Sequence, residues 1–168
     1  MGKIVYEVGN DVSTDAIYPG RFMATVLPSE TPQFAFADEK EFNSKLNNGG
    51  VAEGDILLAA NNFGCGSSRE QAASCLKGHG LIVVARGFAR IFMQNAVNLG
   101  LQTVVAPEIE ASLGDELEIT PTEVINRTTG KSYATLAHPP ARQAIIDAGG
   151  LIAYARKKLL EEKGVKSA

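Results

Sequence analysis

Two short apolar runs recur through the middle of the chain, Ile56-Leu57-Leu58-Ala59-Ala60 and Leu81-Ile82-Val83-Val84-Ala85, and a third strand is expected over Leu101 to Ala106. Each has strand length, and unbroken apolar runs of this kind suit strands covered on both faces. The segments between them carry helical spacing. Ala72, Cys75 and Leu76 fall on one face with His79 at the far end, and Phe88 to Leu99 sets Ile91, Phe92 and Val97 inward. Strand, helix, strand, helix, strand requires parallel pairing through right-handed crossovers. Lys3 to Val8 alternates and predicts an earlier strand. Asp115 to Thr120 and Glu123 to Arg127 predict an antiparallel continuation, with Lys131 to Leu136 as hairpin partner after Thr129-Gly130. Helices are expected over Ala141 to Ala148 and Leu151 to Glu162, within a helical region of about 139–163, separated by Gly149-Gly150. Arg156-Lys157-Lys158 and Glu161-Glu162-Lys163 predict a solvated face with i,i+4 pairing, and Val165 to Ala168 a fraying tail.

A chain of 168 residues fits one domain, 1–168, and can bury a core. Net charge is −3 and no basic run is present, so neither nucleic acid nor an anionic membrane is an expected partner. No apolar stretch approaches the ~20 residues of a membrane span. Met1-Gly2-Lys3-Ile4 enters a strand pattern at once, without the layout of a signal peptide, so the expected location is cytoplasmic. Cys65 and Cys75 are the two cysteines. An iron–sulfur cluster needs three or four thiolates, so no metal is expected in this chain. His79 and His138 read as surface or helix-end residues rather than ligands.

Between the first apolar run and its helix lies Asn61-Asn62-Phe63-Gly64-Cys65-Gly66-Ser67-Ser68-Arg69-Glu70. Two glycines let a backbone pass close to a bound group. Ser67, Ser68 and Arg69 are expected to open the helix, where free N–H groups and the helix dipole favour an anion. Arg69 adds a planar cationic fork that matches a carboxylate. The plainer alternative is a capping box, Ser67-x-x-Glu70, and it stays open here. Upstream, Asp11, Ser13, Thr14 and Asp15 form either a turn or part of a site, and Arg21 after Pro19-Gly20 is a candidate clamp. Residues 22–50 read as a mobile loop containing a helix from about Asp38 to Leu46. Phe22 and Met23 read either as core or as substrate contacts. Arg90 is expected to pair with Glu70 or a nearby Asp, and Asn95 and Asn98 to cap or bond loops.

Asn62-Phe63-Gly64-Cys65-Gly66-Ser67-Ser68-Arg69-Glu70 resembles the signature of the small subunits of isopropylmalate dehydratase and their relatives in the aconitase superfamily. Asn10 to Arg21 resembles that family's N-terminal Thr-Asp-x-Ile-x-Pro loop, and Gly87-Phe88-Ala89-Arg90-Ile91-Phe92 with Asn95 and Asn98-Leu99-Gly100 its following helix. The resemblance implies an α/β fold: a single swivelling β/β/α domain of the aconitase C-terminal-domain type, a mixed sheet with flanking helices. It implies a hydro-lyase subunit in which Ser67 is the catalytic base, Ser68 and Arg69 hold a substrate carboxylate, and Arg21 assists. Met23 and Ala24 would face the substrate's distinguishing group, and Gly64, Gly66, Thr14 and Asp15 would support the site. It also implies a [4Fe-4S] cluster in a separate large subunit, joined as heterodimer or heterotetramer, and no cofactor in this chain. An Arg is absent at 23 and 24, which leaves a distal carboxylate unpaired and favours an apolar branch. Isopropylmalate, in leucine biosynthesis, is the first expectation. Dimethylmalate or methylmalate (citraconate) follows, with homoaconitate less suited. Gln71 stands where the family commonly has His, and Ser13 where Asn is frequent. Two other readings stand beside this one: a non-catalytic anion-binding module, and a purely structural partner. Against a nucleotide, no Walker Lys-Ser/Thr follows the glycines and no Rossmann spacing is present.

Overall fold

The computed structural model describes residues 1–162. The predicted fraying of Val165 to Ala168 and any pairing by Lys163 lie outside the described residues. Seven strands form one sheet in the order β4-β3-β2-β1-β5-β6-β7. Strands β1 (Gly2–Val8), β2 (Ile56–Ala59), β3 (Ile82–Ala85) and β4 (Thr103–Val105) pair in parallel. Strands β5 (Glu116–Ile119), β6 (Glu123–Asn126) and β7 (Ser132–Ala134) continue from β1 as an antiparallel meander. Past β7, the Leu136 N–H donates to the Val105 carbonyl at 2.8 Å, so the far end of the meander returns to β4 and curls the sheet toward closure.

The unbroken apolar runs have a direct cause. Leu57, Ala59, Val83 and Ala85 enter one buried cluster, on the side that carries the helices. Ile56, Leu58 and Val84, which alternate with them, enter a second cluster with Ile4, Leu117 and Val124. A strand with core on both faces has no position left for a polar residue.

Helix α1 (Thr14–Ile17) is a single turn. Helix α2 (Lys40–Asn47) buries Phe42 and Leu46, close to the predicted span. Helix α3 (Glu70–Gly78) and helix α4 (Arg90–Leu99) are the two crossovers. Helices α5 (Pro140–Asp147) and α6 (Leu151–Glu162) follow the meander. On α4, Phe92, Ala96 and Val97 are buried, but Ile91 is 39% exposed, contrary to the inward position expected of it. It lies one residue off the stripe that Phe92 and Ala96 define, and helical geometry carries it away from the core. Arg90 makes no ion pair among the described residues, so the expected pairing with Glu70 is absent. It sits on the first turn of α4 and is exposed. On α6, Lys158 lies over the Tyr154 ring.

Residues 22–50 divide in two. From Thr31 onward the segment is anchored: Ala35, Phe36, Phe42 and Leu46 are buried, and Tyr6 stacks on Phe42 with centroids 3.7 Å apart. From Met23 to Glu30 most side chains are exposed, including Met23, Val26 and Leu27.

A candidate active site at the carboxyl ends of the parallel strands

Three connections meet where β1, β2 and β3 end. The central one, residues 61–69, runs between the other two almost as an extra strand. Its Gly64 N–H donates to the Val12 carbonyl at 2.7 Å, and its Cys65 carbonyl accepts from the Thr14 N–H at 2.8 Å. On its other side, the Phe63 N–H donates to Gly87 at 3.1 Å and the Phe63 carbonyl accepts from Ala89 at 2.9 Å. Open parallel sheets bind their ligands beyond the carboxyl ends of their strands.

The two glycines differ in purpose. Gly64 has φ +81°, and a Cβ there would lie 2.2 Å from Cγ of Phe92, so packing excludes any side chain. Gly66 has φ +94°, and a Cβ there would make only ordinary contacts, 3.7 Å from Thr14 Oγ1 and 3.9 Å from Ser13 Cβ, so the backbone turn alone selects it.

The predicted helix start is corrected. Helix α3 begins at Glu70 with Arg69 as N-cap, and no side chain caps it. The capping box therefore does not form. Ser67 and Ser68 precede the helix and are exposed. The Thr14 hydroxyl, 2% exposed, donates to the Ser67 carbonyl at 3.1 Å and lies 3.2 Å from Ser67 Oγ. Asn95 donates to the Ser68 carbonyl at 3.3 Å, which fulfils its expected loop contact. In a trans peptide the next N–H points opposite the carbonyl, so pinning these two carbonyls fixes the directions of the Ser68 and Arg69 N–H groups. From Ser67 to Gln71 the N–H groups have no protein acceptor among the described residues. Here free donors and the positive end of α3 favour an anion.

Arg69 is only 17% exposed, and its Nη1 donates to the carboxylate of Asp15, which is 64% exposed. Its Nε is buried without a partner. Asp15 also accepts from the Gly20 N–H at 2.9 Å. That backbone bond, and then the Arg69 side chain, hold the Asp15 carboxyl below the usual range. Arg21, the other expected clamp, makes a forked pair with Asp38 at 3.1 and 2.6 Å and lies over the Phe22 ring. Arg21 also lies near enough to Asp15 to lower its pKa further. Guanidinium and carboxylate thus alternate from Arg69 through Asp15 and Arg21 to Asp38.

Phe22 stacks on Phe34 at 4.2 Å and packs against the core, whereas Met23 is 47% exposed and Ala24 is exposed too. The core reading thus fits Phe22 and not Met23. Gln71 donates to the Met23 carbonyl at 3.4 Å, which ties the loop to the start of α3. No local sequence signal marks this tether, because its partner lies 48 residues away. His79 Nε2 lies 2.9 Å from the Pro32 carbonyl, and His138 bonds Thr103, both local structural contacts. Among the described residues no group of three His, Cys, Asp or Glu could hold a metal ion. Two cysteines, one of them buried, do not fit a cluster in this chain. Nor is any described helix long and apolar enough to cross a membrane.

Comparison with known proteins adds relatives to this geometry. Residues 23–108 match the family described as Aconitase C-terminal domain. The 3-isopropylmalate dehydratase small subunit of Thermodesulfovibrio yellowstonii is 42% identical over 164 residues, 94% of this chain and 95% of that protein. The 2,3-dimethylmalate dehydratase small subunit of Eubacterium barkeri is 41% identical over 156 residues, 89% of this chain and 93% of that one. A crystal structure of 3-isopropylmalate dehydratase (LeuD) from Methanocaldococcus jannaschii superposes with TM-score 0.87 at 37% identity, covering 96% of each chain.

Proposed function

The chain belongs to the 3-isopropylmalate dehydratase small-subunit family, within the aconitase C-terminal-domain group, and from that premise we propose that it supplies the base and the carboxylate grip of a hydro-lyase acting on a branched 2-hydroxy diacid. The observation that carries this reading is the uncapped stretch Ser67-Ser68-Arg69: exposed serines, N–H groups without a protein acceptor and a guanidinium at the carboxyl ends of parallel strands.

Dehydration removes a hydroxyl from one carbon and a proton from its neighbour, which stands beside a carboxylate. A C–H of that kind is a weak acid, so both base and developing anion need strong stabilisation. In the proposed pose Ser67 Oγ takes the proton. Ser68 and the free N–H groups hold the adjacent carboxylate. Arg69 completes the grip through the part of its guanidinium that Asp15 does not take. Asp15 keeps the other edge of the guanidinium fixed. A large subunit bearing a [4Fe-4S] cluster would supply Lewis-acid assistance at the departing hydroxyl.

Isopropylmalate is the lead substrate, in leucine biosynthesis in the cytoplasm. The exposed apolar side chains of Met23 and Ala24, tethered beside the site through Gln71, support an aliphatic branch over a second charged arm. Dimethylmalate or methylmalate is the alternative within this reading.

The test is hydration and dehydration of these diacids by the chain combined with a cluster-loaded large subunit. Ser67→Ala is expected to lower kcat by about 10³-fold or more, in the range typical of losing a base and its charge stabilisation. Arg69→Lys, which keeps charge but loses the fork, is expected to raise KM. Unchanged turnover in both variants defeats the proposal.

A further inference from the structure

A serine is a poor base unless something makes its hydroxyl more acidic, and one neighbour of Ser67 stands apart from the rest. Thr14 is 98% buried by its 2% exposure, and its hydroxyl faces two acceptors on one residue: the Ser67 carbonyl at 3.1 Å and Ser67 Oγ at 3.2 Å. It carries one hydrogen and therefore satisfies one of the two at a time. With Ser67 protonated, Thr14 donates to the carbonyl and accepts from Ser67 Oγ–H. With Ser67 ionised, rotation about the Thr14 C–O bond delivers the same hydrogen to the alkoxide.

We propose that Thr14 is a positioning residue that makes Ser67 a usable base, its hydroxyl hydrogen moving from the Ser67 carbonyl to Ser67 Oγ as that oxygen becomes an anion. This rests on the reading of Ser67 as the base. The proton count closes: Ser67 releases its hydrogen to solvent on activation and regains one from the substrate carbon, while the Thr14 hydrogen never leaves its oxygen. No heavy atom moves, because the Thr14 N–H bond to Cys65 at 2.8 Å and its burial in the first turn of α1 fix the hydroxyl. Around the pair, the ionisable groups are Asp11 and Asp15 on the β1 side, Cys65 in the turn, Arg69 and Glu70 at the start of α3, and Arg90 on α4. Asp11 is taken by Asn62, at 2.7 Å, and Asp15 by Arg69. Of the uncharged donors described here, Thr14 is the one already in contact with Ser67 Oγ.

The experiment reports the acidity at position 67 directly, in the isolated chain. Ser67→Cys is alkylated across pH, and modification at that position is read by peptide mass spectrometry, separately from Cys65. A free thiol ionises near pH ~8.5. In the Thr14 background the position-67 thiol is expected to ionise lower by about one unit, in line with a hydrogen bond to the charged form. Thr14→Val, similar in shape but without a donor, raises it again, so that about tenfold less thiolate reacts at neutral pH. Thr14→Ser restores it. Equal ionisation in all three, with unchanged circular dichroism, overturns the proposal. Should Thr14→Val not fold, Thr14→Ala carries the same expectation. In the complex with the wild-type serine, Thr14→Val moves the acidic limb of the kcat/KM profile to higher pH, and Thr14→Ser brings it back. A normal profile in Thr14→Val also overturns it. Full turnover in Ser67→Ala would instead defeat the base reading and strip the Thr14 contact of catalytic meaning, whatever the thiol shows.

Discussion

At the scale of single residues, the site is defined by which polar groups are already spent. Ser67 and Ser68 are not used as caps, so their hydroxyls are open to a ligand, whereas Arg69 is shared with Asp15. The Asp15 carboxyl is held below its ordinary value by the Gly20 N–H and then by Arg69. A carboxylate with a lowered folded-state pKa stabilises the fold above the unfolded value near ~3.9, and that contribution is lost as pH falls through the folded value. Asp15→Asn should therefore melt lower than wild type at neutral pH and show a flatter fall of Tm on acidification below about pH 4. Thermal melts across pH on both proteins check this. Asp15 and Arg69 are coupled through one contact, so in the complex the same variant should raise KM for the diacid. A variant with wild-type KM would mean that Asp15 does no more than brace the turn.

At the scale of elements, the strand and helix order was legible in the sequence because burial on both faces leaves a plain signature. Ile56 to Ala59 and Leu81 to Ala85 are apolar at every position since each side chain enters or packs against one of two clusters. The start of α3 was not legible. Ser67-x-x-Glu70 fits a capping box in sequence, but Thr14 and Asn95 take the carbonyls of Ser67 and Ser68, and those partners come from other elements. Long-range bonds of that kind have no local pattern to betray them. The same holds for Arg21, whose fork is held by Asp38 across the turn. Nor could sequence show that Gly64 is required by Phe92. Gly64→Ala is expected to lose about 1–2 kcal/mol from its left-handed backbone and roughly 1–3 kcal/mol more from overpacking. Urea titration measures the loss. Because Phe92 and Phe63 pack edge to face at 5.1 Å, the strain should also spread into the turn that carries Ser67. Gly66→Ala places a Cβ at ordinary contact distance from Thr14 and Ser13 and should lose only the backbone part.

At the scale of the whole molecule, the sheet separates two apolar clusters that share β1, β2 and β3, and this sharing ties the site to the stability of the entire chain. Phe63, fully buried between the strands' ends and α4, stands at that junction. Phe63→Ala is expected to cost about 3–5 kcal/mol, a large share of a small domain's stability, and to abolish the site with the fold. What the isolated chain does with a substrate follows from how little of the site it owns. Ser67 and Ser68 are exposed, so a diacid bound here keeps one side in water, and its charge contacts are screened. One carboxylate held by free N–H groups and the edge of a guanidinium corresponds to roughly −4 kcal/mol, or a Kd near millimolar. Calorimetry on the chain alone should therefore show isopropylmalate binding no tighter than about millimolar. With the large subunit present, water leaves the site and the same contacts strengthen, so affinity should rise by at least about 100-fold. Micromolar binding by the chain alone would mean that the grip is complete within it, and that the partner contributes chemistry without closing the site.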